Sequence, residues 1–279
     1  MGRTKIDYLT HVWNPIAMRC TPCSPGCLNC WHLRMCKRLA GNPGIARDER
    51  RAYAGGPFVL NQKKLEAPLH WRKPARIGVQ FMGDWMHQDV DQDWIDRIIN
   101  VIGNCPQHTF FTLTKRPENL ATKMLISIAR ILYSNWMICY EPFVIRRDPR
   151  PFLHFEHLWI GVTVCNQEEA DRKIPELLKI PGFKKWVSIE PMLGPIVLHD
   201  PEKDGFGNPL EVTTLNALDW IVCGAETGPG ARHAKPNWFK SVKNQCQEAG
   251  VPFFLKRLSY GSRILDGREW NKIPYLKRF

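Results

Sequence analysis

Four cysteines lie within eleven residues near the start of the chain: Cys20, Cys23, Cys27 and Cys30. Cys23, Cys27 and Cys30 have the spacing C-x3-C-x2-C, which lets one loop hold three irons of a [4Fe–4S] cluster while the fourth iron stays open. Two prolines and a glycine lie among these cysteines and turn the loop, which suits backbone that wraps closely around a cluster. The spacing therefore predicts an iron–sulfur site with one reactive iron.

Zinc and unligated thiols are the alternatives for this segment. A zinc ribbon separates its two C-x2-C pairs by roughly 15 to 20 residues, whereas Cys23 and Cys27 enclose three. A cluster held by all four cysteines would be purely structural, because no iron would remain open. The other cysteines are expected to pack as small hydrophobic residues: Cys36, Cys105, Cys139, Cys165, Cys223 and Cys246.

Short apolar runs alternate with helical stretches from about residue 76, and these elements must position the site. Strands are predicted at Arg76–Phe81, Thr109–Leu113, Leu158–Val164, Trp186–Ile189, Trp220–Cys223 and Pro252–Leu255. Helices are predicted between several of them, at 94–102, 119–133, 168–179 and 238–249. Because runs such as LWIGVTV are apolar throughout, both faces of the sheet should be buried, as in parallel sheets. We predict an α/β fold with a partial (β/α) barrel of parallel strands.

The chain is predicted to form a single domain. The βα units occupy about residues 76–258. A cluster loop at 20–36 and an irregular, helix-poor insertion at about 40–71 precede them, and an extension at 259–279 follows. Surface loops are expected at 140–157 and 200–212.

The chain is basic: its 279 residues include 39 Lys and Arg against 27 Asp and Glu, a net charge of +12. This balance favours a polyanionic partner such as nucleic acid, with a solvated basic surface as the alternative. No segment approaches the roughly 20 apolar residues needed to cross a bilayer, and the N-terminus has no apolar core of a secretory signal. We therefore expect a cytoplasmic protein with reduced thiols and no membrane partner.

Short sequence segments spread along nearly the whole chain resemble one family. The cysteine loop before a run of βα units is similar to the radical SAM superfamily, and the match is closer to a phage-encoded radical SAM family long described only as a phage protein of unknown function. The matching segments are WNP (13–15), CTPCSPGCLNCW (20–31), LTKRPENL (113–120), GVTVCNQEEADRKIPELLKIP (161–181), SIEPMLGPI (188–196), GAETGPGARH (224–233) and GVPFFLK (250–256).

The resemblance implies a [4Fe–4S] cluster whose open iron binds S-adenosylmethionine (SAM). The reduced cluster would cleave SAM to methionine and a 5′-deoxyadenosyl radical, which abstracts a hydrogen atom from the substrate. Both the superfamily spacing and the family pattern select Cys27 and Cys30 as cluster ligands. The family pattern selects Cys20 as the third ligand, whereas the usual superfamily spacing selects Cys23, and both are present.

The other candidate residues follow predicted strands, where ligands of a parallel barrel collect. Gly83 and Asp84 partly match the superfamily motif for the SAM amino group, although a tight turn is the alternative. Lys115, or its neighbour Arg116, is assigned to the SAM carboxylate or the substrate, with plain surface charge as the alternative. Thr163 is a candidate for the ribose of SAM.

Four further residues complete the set. Asn166 suits a ribose, but helix capping explains it equally well. Ser188 and Glu190 end one strand and are assigned to the cofactor or substrate. Glu226 ends another strand, in a loop that could also grip phosphate through its basic residues. Lys115, Glu190 and Glu226 are the residues that we expect to position the reacting groups.

For substrate, the basic charge and the resemblance indicate nucleic acid or a nucleotide. The favoured hypothesis is an isomerase that rearranges an amino-acid-modified thymine base during hypermodification of phage DNA, in the host cytoplasm, with an electron donor as a further partner. A radical lyase that repairs pyrimidine damage is a second enzymatic reading. A nucleic-acid-binding protein with structural zinc or a structural iron–sulfur cluster is the competing class.

Overall fold

The computed structural model describes residues 4–140, 155–198 and 214–274. Within them the strands are β1 (His11–Trp13), β2 (Ile16–Ala17), β3 (Val59–Leu60), β4 (Arg76–Val79), β5 (Thr109–Thr112), β6 (Leu158–Val164), β7 (Lys184–Ile189), β8 (Trp220–Gly224), β9 (Phe253–Arg257), β10 (Ile264–Leu265) and β11 (Arg268–Glu269). The helices are α1 (Trp31–Ala40), α2 (Arg47–Ala54), α3 (Gln62–Leu65), α4 (Gln92–Gly103), α5 (Pro117–Tyr140), α6 (Gln167–Leu178) and α7 (Pro236–Glu248).

The central sheet has seven strands in the order β1-β4-β5-β6-β7-β8-β9, and every neighbouring pair in this described part of the chain is parallel. Helices α4, α5, α6 and α7 follow β4, β5, β6 and β8 and return the chain to the start of the next strand. Strands β1 and β9 are the two edges, so the barrel is open. The predicted α/β partial barrel is confirmed.

The two faces of the sheet bury different side chains. The face covered by helices is aliphatic, with residues such as Ile77, Val162 and Ile221 fully buried. The inner face carries a layer of aromatic rings, in which Trp186 stacks on Trp220 with ring centroids 5.3 Å apart. Side chains alternate between the two faces along a strand. Towards the C-terminal strand ends, the inner-face positions that follow these rings carry polar groups.

Element boundaries near the N-terminus differ from the sequence prediction. The predicted cluster loop 20–36 ends at residue 30, because α1 begins at Trp31. The insertion predicted to be helix-poor contains α2 and α3, and α2 packs on α1 through Cys36, Ala52 and Tyr53. Because most residues of α2 are charged, its short apolar side gave no helical pattern in the sequence. Tertiary packing of that side stabilises this helix.

The remaining expectations concern the ends and the loops. Strands β10 and β11 pair in the C-terminal extension, and the carbonyl oxygen of Lys272 accepts a hydrogen bond from Trp220 Nε1 at 3.0 Å. The predicted loop at 200–212 and most of the one at 140–157 lie outside the described residues. No helix in the described ranges is long and apolar enough to cross a membrane.

Candidate functional site

The cysteine loop, residues 18–30, lies across the C-terminal ends of the parallel strands. A Cβ placed on Gly26 would come within 2.4 Å of Cys165 Sγ, directly after β6, and within 3.1 Å of Pro191 Cδ, after β7. Arg116, after β5, donates a hydrogen bond to the Thr21 carbonyl oxygen at 2.8 Å. The loop therefore covers the edge of the sheet where ligands of a parallel barrel bind.

Local hydrogen bonds explain the shape of this loop. Ser24 Oγ accepts a hydrogen bond from the Gly26 amide at 3.1 Å and so caps a single 3-10 turn, Pro25–Cys27. Pro25 at the first position of that turn has the backbone angle that a helical turn needs. Cys30 then forms the N-cap residue of α1. The Cys30 amide donates a hydrogen bond to the Cys27 carbonyl oxygen at 3.2 Å, so these two cysteines lie at the two ends of one turn.

The four thiols differ in exposure and in neighbours. Cys27 is buried, Cys20 and Cys30 are half-buried and Cys23 is exposed. A hydrogen bond between Cys23 and Cys27 lowers the pKa of Cys27 below the ordinary thiol value and raises that of Cys23. Cys20 Sγ instead accepts a hydrogen bond from Arg116 Nη1 at 3.6 Å, while burial raises its pKa to about 11.

The donor set fits an iron–sulfur cluster. Thiolates are the ligands of such clusters, and each thiolate binds a different iron, so the sulfurs need not converge on one point. In the described ranges no three His, Cys, Asp or Glu side chains converge as the ligands of a single metal ion do. Cys27, Cys30 and either Cys20 or Cys23 are the residues that could hold a cluster.

Lys115 is a second cation that interacts with these thiols. Burial by itself lowers its pKa, but the negative charge of the Cys27, Cys165 and Cys30 thiolates outweighs burial, and the pKa lies above the ordinary lysine value. The ammonium group therefore stays protonated beside the cysteine loop. A cation in this place would attract an anionic group of a ligand that binds next to the loop.

Asp84 and Arg116 form a closed ion pair beside the first half of the loop. Arg116 Nη1 lies 3.1 Å from Asp84 Oδ2, and the two side chains are 6% and 7% exposed. The carboxylate also accepts hydrogen bonds from Thr114 Oγ1 at 2.7 Å and from the amides of Met86 and Lys115. Protein donors thus occupy both oxygens, and Asp84 holds Arg116 against the loop. Its assignment to the SAM amino group stays a prediction.

Glu226 and Arg232 form the corresponding pair beside the second half. Glu226 accepts hydrogen bonds from the amide, Nε and Nη2 of Arg232 and from Asn29 Nδ2. The hydrogen bonds from Arg232 outweigh burial and lower the pKa of Glu226 to about 2. Arg232 Nη1 also donates to the Pro25 carbonyl oxygen at 3.0 Å. In this structure Glu226 thus holds the loop through Asn29 and Arg232, and its predicted role in positioning reacting groups stays a prediction.

Glu190 and Lys256 form an open pair on the inner face. Lys256 Nζ lies 2.6 Å and 2.8 Å from the two oxygens of Glu190, and it lies 6.0 Å from the ring centre of Tyr8 in the aromatic layer. The Lys256 and Glu190 side chains are 19% and 29% exposed. A polar ligand can therefore reach this pair without rearrangement of the surrounding structure.

The other predicted residues fall into two groups. Thr163 and Ser188 are partners across β6 and β7 and lie buried on the inner face. Gly83 has a left-handed φ of +111°, and a Cβ there would come within 2.6 Å of Met18 Sδ, so it allows close packing under the cysteine loop. Asn166 caps α6 through a hydrogen bond from the Glu169 amide. Capping is therefore the contact that the structure shows for Asn166.

Three residues of the site are absent from the predicted set: Asn29, Cys165 and Lys256. Cys165 was expected to be one of several packing cysteines, and it is buried, but its sulfur lies 3.7 Å from Ser24 Oγ in the cysteine loop. Its place directly after a strand was the signal that could have separated it from the others. Lys256, on the last central strand, carries the same signal. Asn29 carries none, because its contact with Glu226 spans 197 residues of sequence.

Three comparisons with known proteins complete the description. A model of the family described as "Protein of unknown function (DUF5131)" matches residues 3–274. A search of curated proteins found no match. One similar solved structure is a mutant spore photoproduct lyase with bound SAM and a dinucleoside spore photoproduct, at 12% identity and a TM-score of 0.37. The alignment covers 88% of this chain and 63% of the length of that structure.

Proposed function

Since the chain belongs to the family described as "Protein of unknown function (DUF5131)", we propose its function from the site itself: it is a radical SAM enzyme. The observation that carries the proposal is the position of the cysteine loop. Its turn contacts Cys165 and Pro191, after β6 and β7, and the ion pairs that follow β5 and β8 hold its two halves. A cluster on this loop would face the mouth of the open barrel.

The loop residues would hold the cluster through thiolates. Cys27 and Cys30 are two of the ligands, since both arguments from the sequence select them. Cys20 and Cys23 are the candidates for the third: Cys23 contacts Cys27, whereas Cys20 contacts Arg116. The third ligand is the one whose replacement abolishes SAM cleavage, because the other leaves three thiolates in place.

The chain's own residues would bind and orient the reactants. When bound, the cluster and SAM supply the 5′-deoxyadenosyl radical; the protein supplies binding and orientation and excludes water. Lys115 would pair with the SAM carboxylate, a role supported by its electrostatic interaction with Cys27, Cys165 and Cys30. Glu190, Lys256, Thr163 and Ser188 share the inner face, where they would bind the rest of SAM or the substrate.

For the reaction, we propose that the enzyme rearranges an amino-acid-modified thymine base in DNA. The net charge of +12 supports a polyanionic substrate. The Glu190–Lys256 pair supports a substrate that carries polar groups of both signs, because each member of the pair can exchange its partner for an opposite charge on the ligand. A modified base with an amine and a carboxylate has that chemistry.

An anaerobic assay tests the enzyme class. The protein is reconstituted with iron and sulfide, given SAM and dithionite, and assayed for 5′-deoxyadenosine. We expect product from the wild type and from Cys105→Ala, a buried cysteine far along the chain from the loop, but none from Cys27→Ala. Single Cys20→Ala and Cys23→Ala variants identify the third ligand.

Two results would contradict the proposal. One is a complete [4Fe–4S] cluster that yields no 5′-deoxyadenosine with or without modified DNA. The other is stoichiometric zinc in place of iron. If SAM is cleaved, the substrate that reacts separates the two reactions. An isomerase converts the amino-acid-modified thymine to a product of the same mass, whereas a repair lyase leaves that base unchanged and releases unmodified thymidine from a damaged strand, measured after digestion to nucleosides.

A further inference from the structure

The exposed side of α1 carries three cations and an aromatic ring. Trp31, Arg34, Lys37 and Arg38 recur at helical spacing on one side of α1, and all four are exposed. The Trp31 side chain, directly after Cys30, is 48% exposed, although most of the large aromatic residues of the described chain are buried or half-buried. These four residues are called the α1 stripe.

The charge around the α1 stripe has one sign. Residues 8–73 contain eleven Lys and Arg but three carboxylates, so this quarter of the chain holds two-thirds of the net charge of +12. Residues 8–47 contain no Asp or Glu. Of the three carboxylates, Glu49 is buried and paired with Lys64 at 2.7 Å. The ion pairs found in the described part of the chain do not include Arg34, Lys37 or Arg38, so the positive potential of the stripe extends into solvent.

We propose that the α1 stripe binds the phosphate backbone of a nucleic acid strand and that Trp31 stacks on one of its bases. Arg and Lys supply the contacts to phosphate, and an exposed aromatic ring supplies the sequence-tolerant stacking that single strands require. The proposal deepens the proposed function and rests on it, since the strand bound beside the cysteine loop is taken to be the substrate.

An acidic protein that delivers electrons is the competing occupant of this surface. A compact acidic patch would need cations gathered around one point. Here the excess of positive charge continues from the stripe through exposed residues of α2 and the following segments, among them Arg47, Arg51 and Lys63. A continuous excess of one sign fits a continuous polyanion better.

The test measures binding of a fluorescein-labelled, thymine-rich single strand of DNA to the reconstituted protein by fluorescence anisotropy at several salt concentrations. The variant is Lys37→Glu/Arg38→Glu. Its matched control is Arg172→Glu/Lys179→Glu, which makes the same change in charge at two exposed cations on α6 and directly after it, outside residues 8–73. We expect the stripe variant to bind roughly tenfold more weakly, with a slope of log K against log salt reduced by about 1.4 for the two lost phosphate contacts, and the control to change much less.

Trp31 is tested separately. Trp31→Ala should weaken binding by about fivefold or more without changing the salt slope, because stacking releases no counterions. Trp31→Phe should restore much of the affinity, since it keeps an aromatic ring. A Leu69→Ala variant, at another exposed apolar residue, should bind as the wild type does.

Three results would overturn the proposal. The first is equal loss of affinity in the stripe variant and its control, which would mean that only the overall charge matters. The second is no binding by the wild type at low salt. The third is a stripe variant that binds DNA normally and is reduced by dithionite as fast as the wild type, but is reduced by flavodoxin more slowly than the wild type. That result would assign the surface to a protein electron donor. Failure of the proposed function is distinguishable, because it removes 5′-deoxyadenosine formation in the wild type and leaves these binding data unchanged.

Discussion

Two regions of the strand-end edge place carboxylates in opposite situations. Beside the cysteine loop, Asp84 and Glu226 are 7% and 5% exposed, and protein donors occupy their oxygens. On the inner face, Glu190 is 29% exposed and its partner in the described chain is a single flexible side chain, Lys256. All three carboxylates follow strands, yet two are closed to a ligand and one is open.

The difference indicates that the closed pairs and the open pair have different roles. The closed carboxylates fix arginines that bind backbone oxygens of the loop, at Thr21 and Pro25. A loop that carries an inorganic cluster must keep its thiolates in one arrangement, and buried pairs with several hydrogen bonds provide that rigidity. The open pair sits above the aromatic layer, where exchange of its partners costs less. We therefore expect loss of stability from changes at the closed pairs and loss of ligand binding from changes at the open pair.

Asp84→Asn should have the largest effect on stability. It leaves the buried Arg116 guanidinium without a compensating charge, and breaking a buried pair in this way costs roughly 3 kcal/mol or more. Urea unfolding measures the loss, and iron content after reconstitution should fall with it. Asp93→Asn is the matched control: that side chain is 69% exposed and lies 3.9 Å from Arg97, so we expect a change within about 0.5 kcal/mol. Equal effects at the two positions would break the comparison.

Gly26→Ala should come next, because it forces a Cβ into the contact with Cys165 Sγ, where 2.4 Å is available. Overpacking of this kind costs about 2 kcal/mol, and it should lift the turn that holds Cys27. Unfolding in urea and iron per chain are the measurements. Adding Cys165→Ala should restore part of both, since Pro191 Cδ at 3.1 Å still limits the space. No recovery in the double variant would show that the Gly26–Cys165 contact does not set the position of the loop.

Much of this arrangement could be predicted from the sequence. Strands β6 and β8 were found because their apolar runs are long and uninterrupted, and the position of Glu190 and Glu226 at strand ends identified the edge that carries the site. The cysteine spacing identified the loop. These features are local, so a few consecutive residues contain the information.

The role of each carboxylate could not be predicted, because it depends on contacts across the chain. Asn29 and Glu226 are 197 positions apart, and Arg116 and Thr21 are 95 apart. The local sequence GAETG does not show whether its carboxylate pairs with an arginine or faces a ligand. Helix α2 was missed for a related reason, since its few apolar residues act only by packing on α1.

Glu226→Gln sharpens the comparison through pH. The pKa of Glu226 is lowered to about 2 from an ordinary value of 4.5, so the ionised pair contributes stability that is complete above pH 4.5 and is lost as the pH falls towards 2. The variant should lose about 1 kcal/mol at neutral pH. Its difference from the wild type should shrink between pH 5 and pH 3 in urea titrations. A difference that does not change with pH would mean that shape, and not charge, holds this half of the loop.

Glu190→Gln should have the smallest effect on stability, below about 1 kcal/mol, because the pair is partly solvated and its loss leaves no buried charge. If the pair serves a ligand, the dissociation constant for SAM or the KM for modified DNA should rise by about tenfold or more, as loss of a charged hydrogen bond requires. The charge swap Glu190→Lys/Lys256→Glu separates the two roles. A structural pair should recover both stability and binding in the swap, whereas a ligand pair should recover stability but not binding, since the ligand then meets its charges reversed. Full recovery of binding would place Glu190 with the closed carboxylates, and the open region would no longer differ in function from the two that hold the loop.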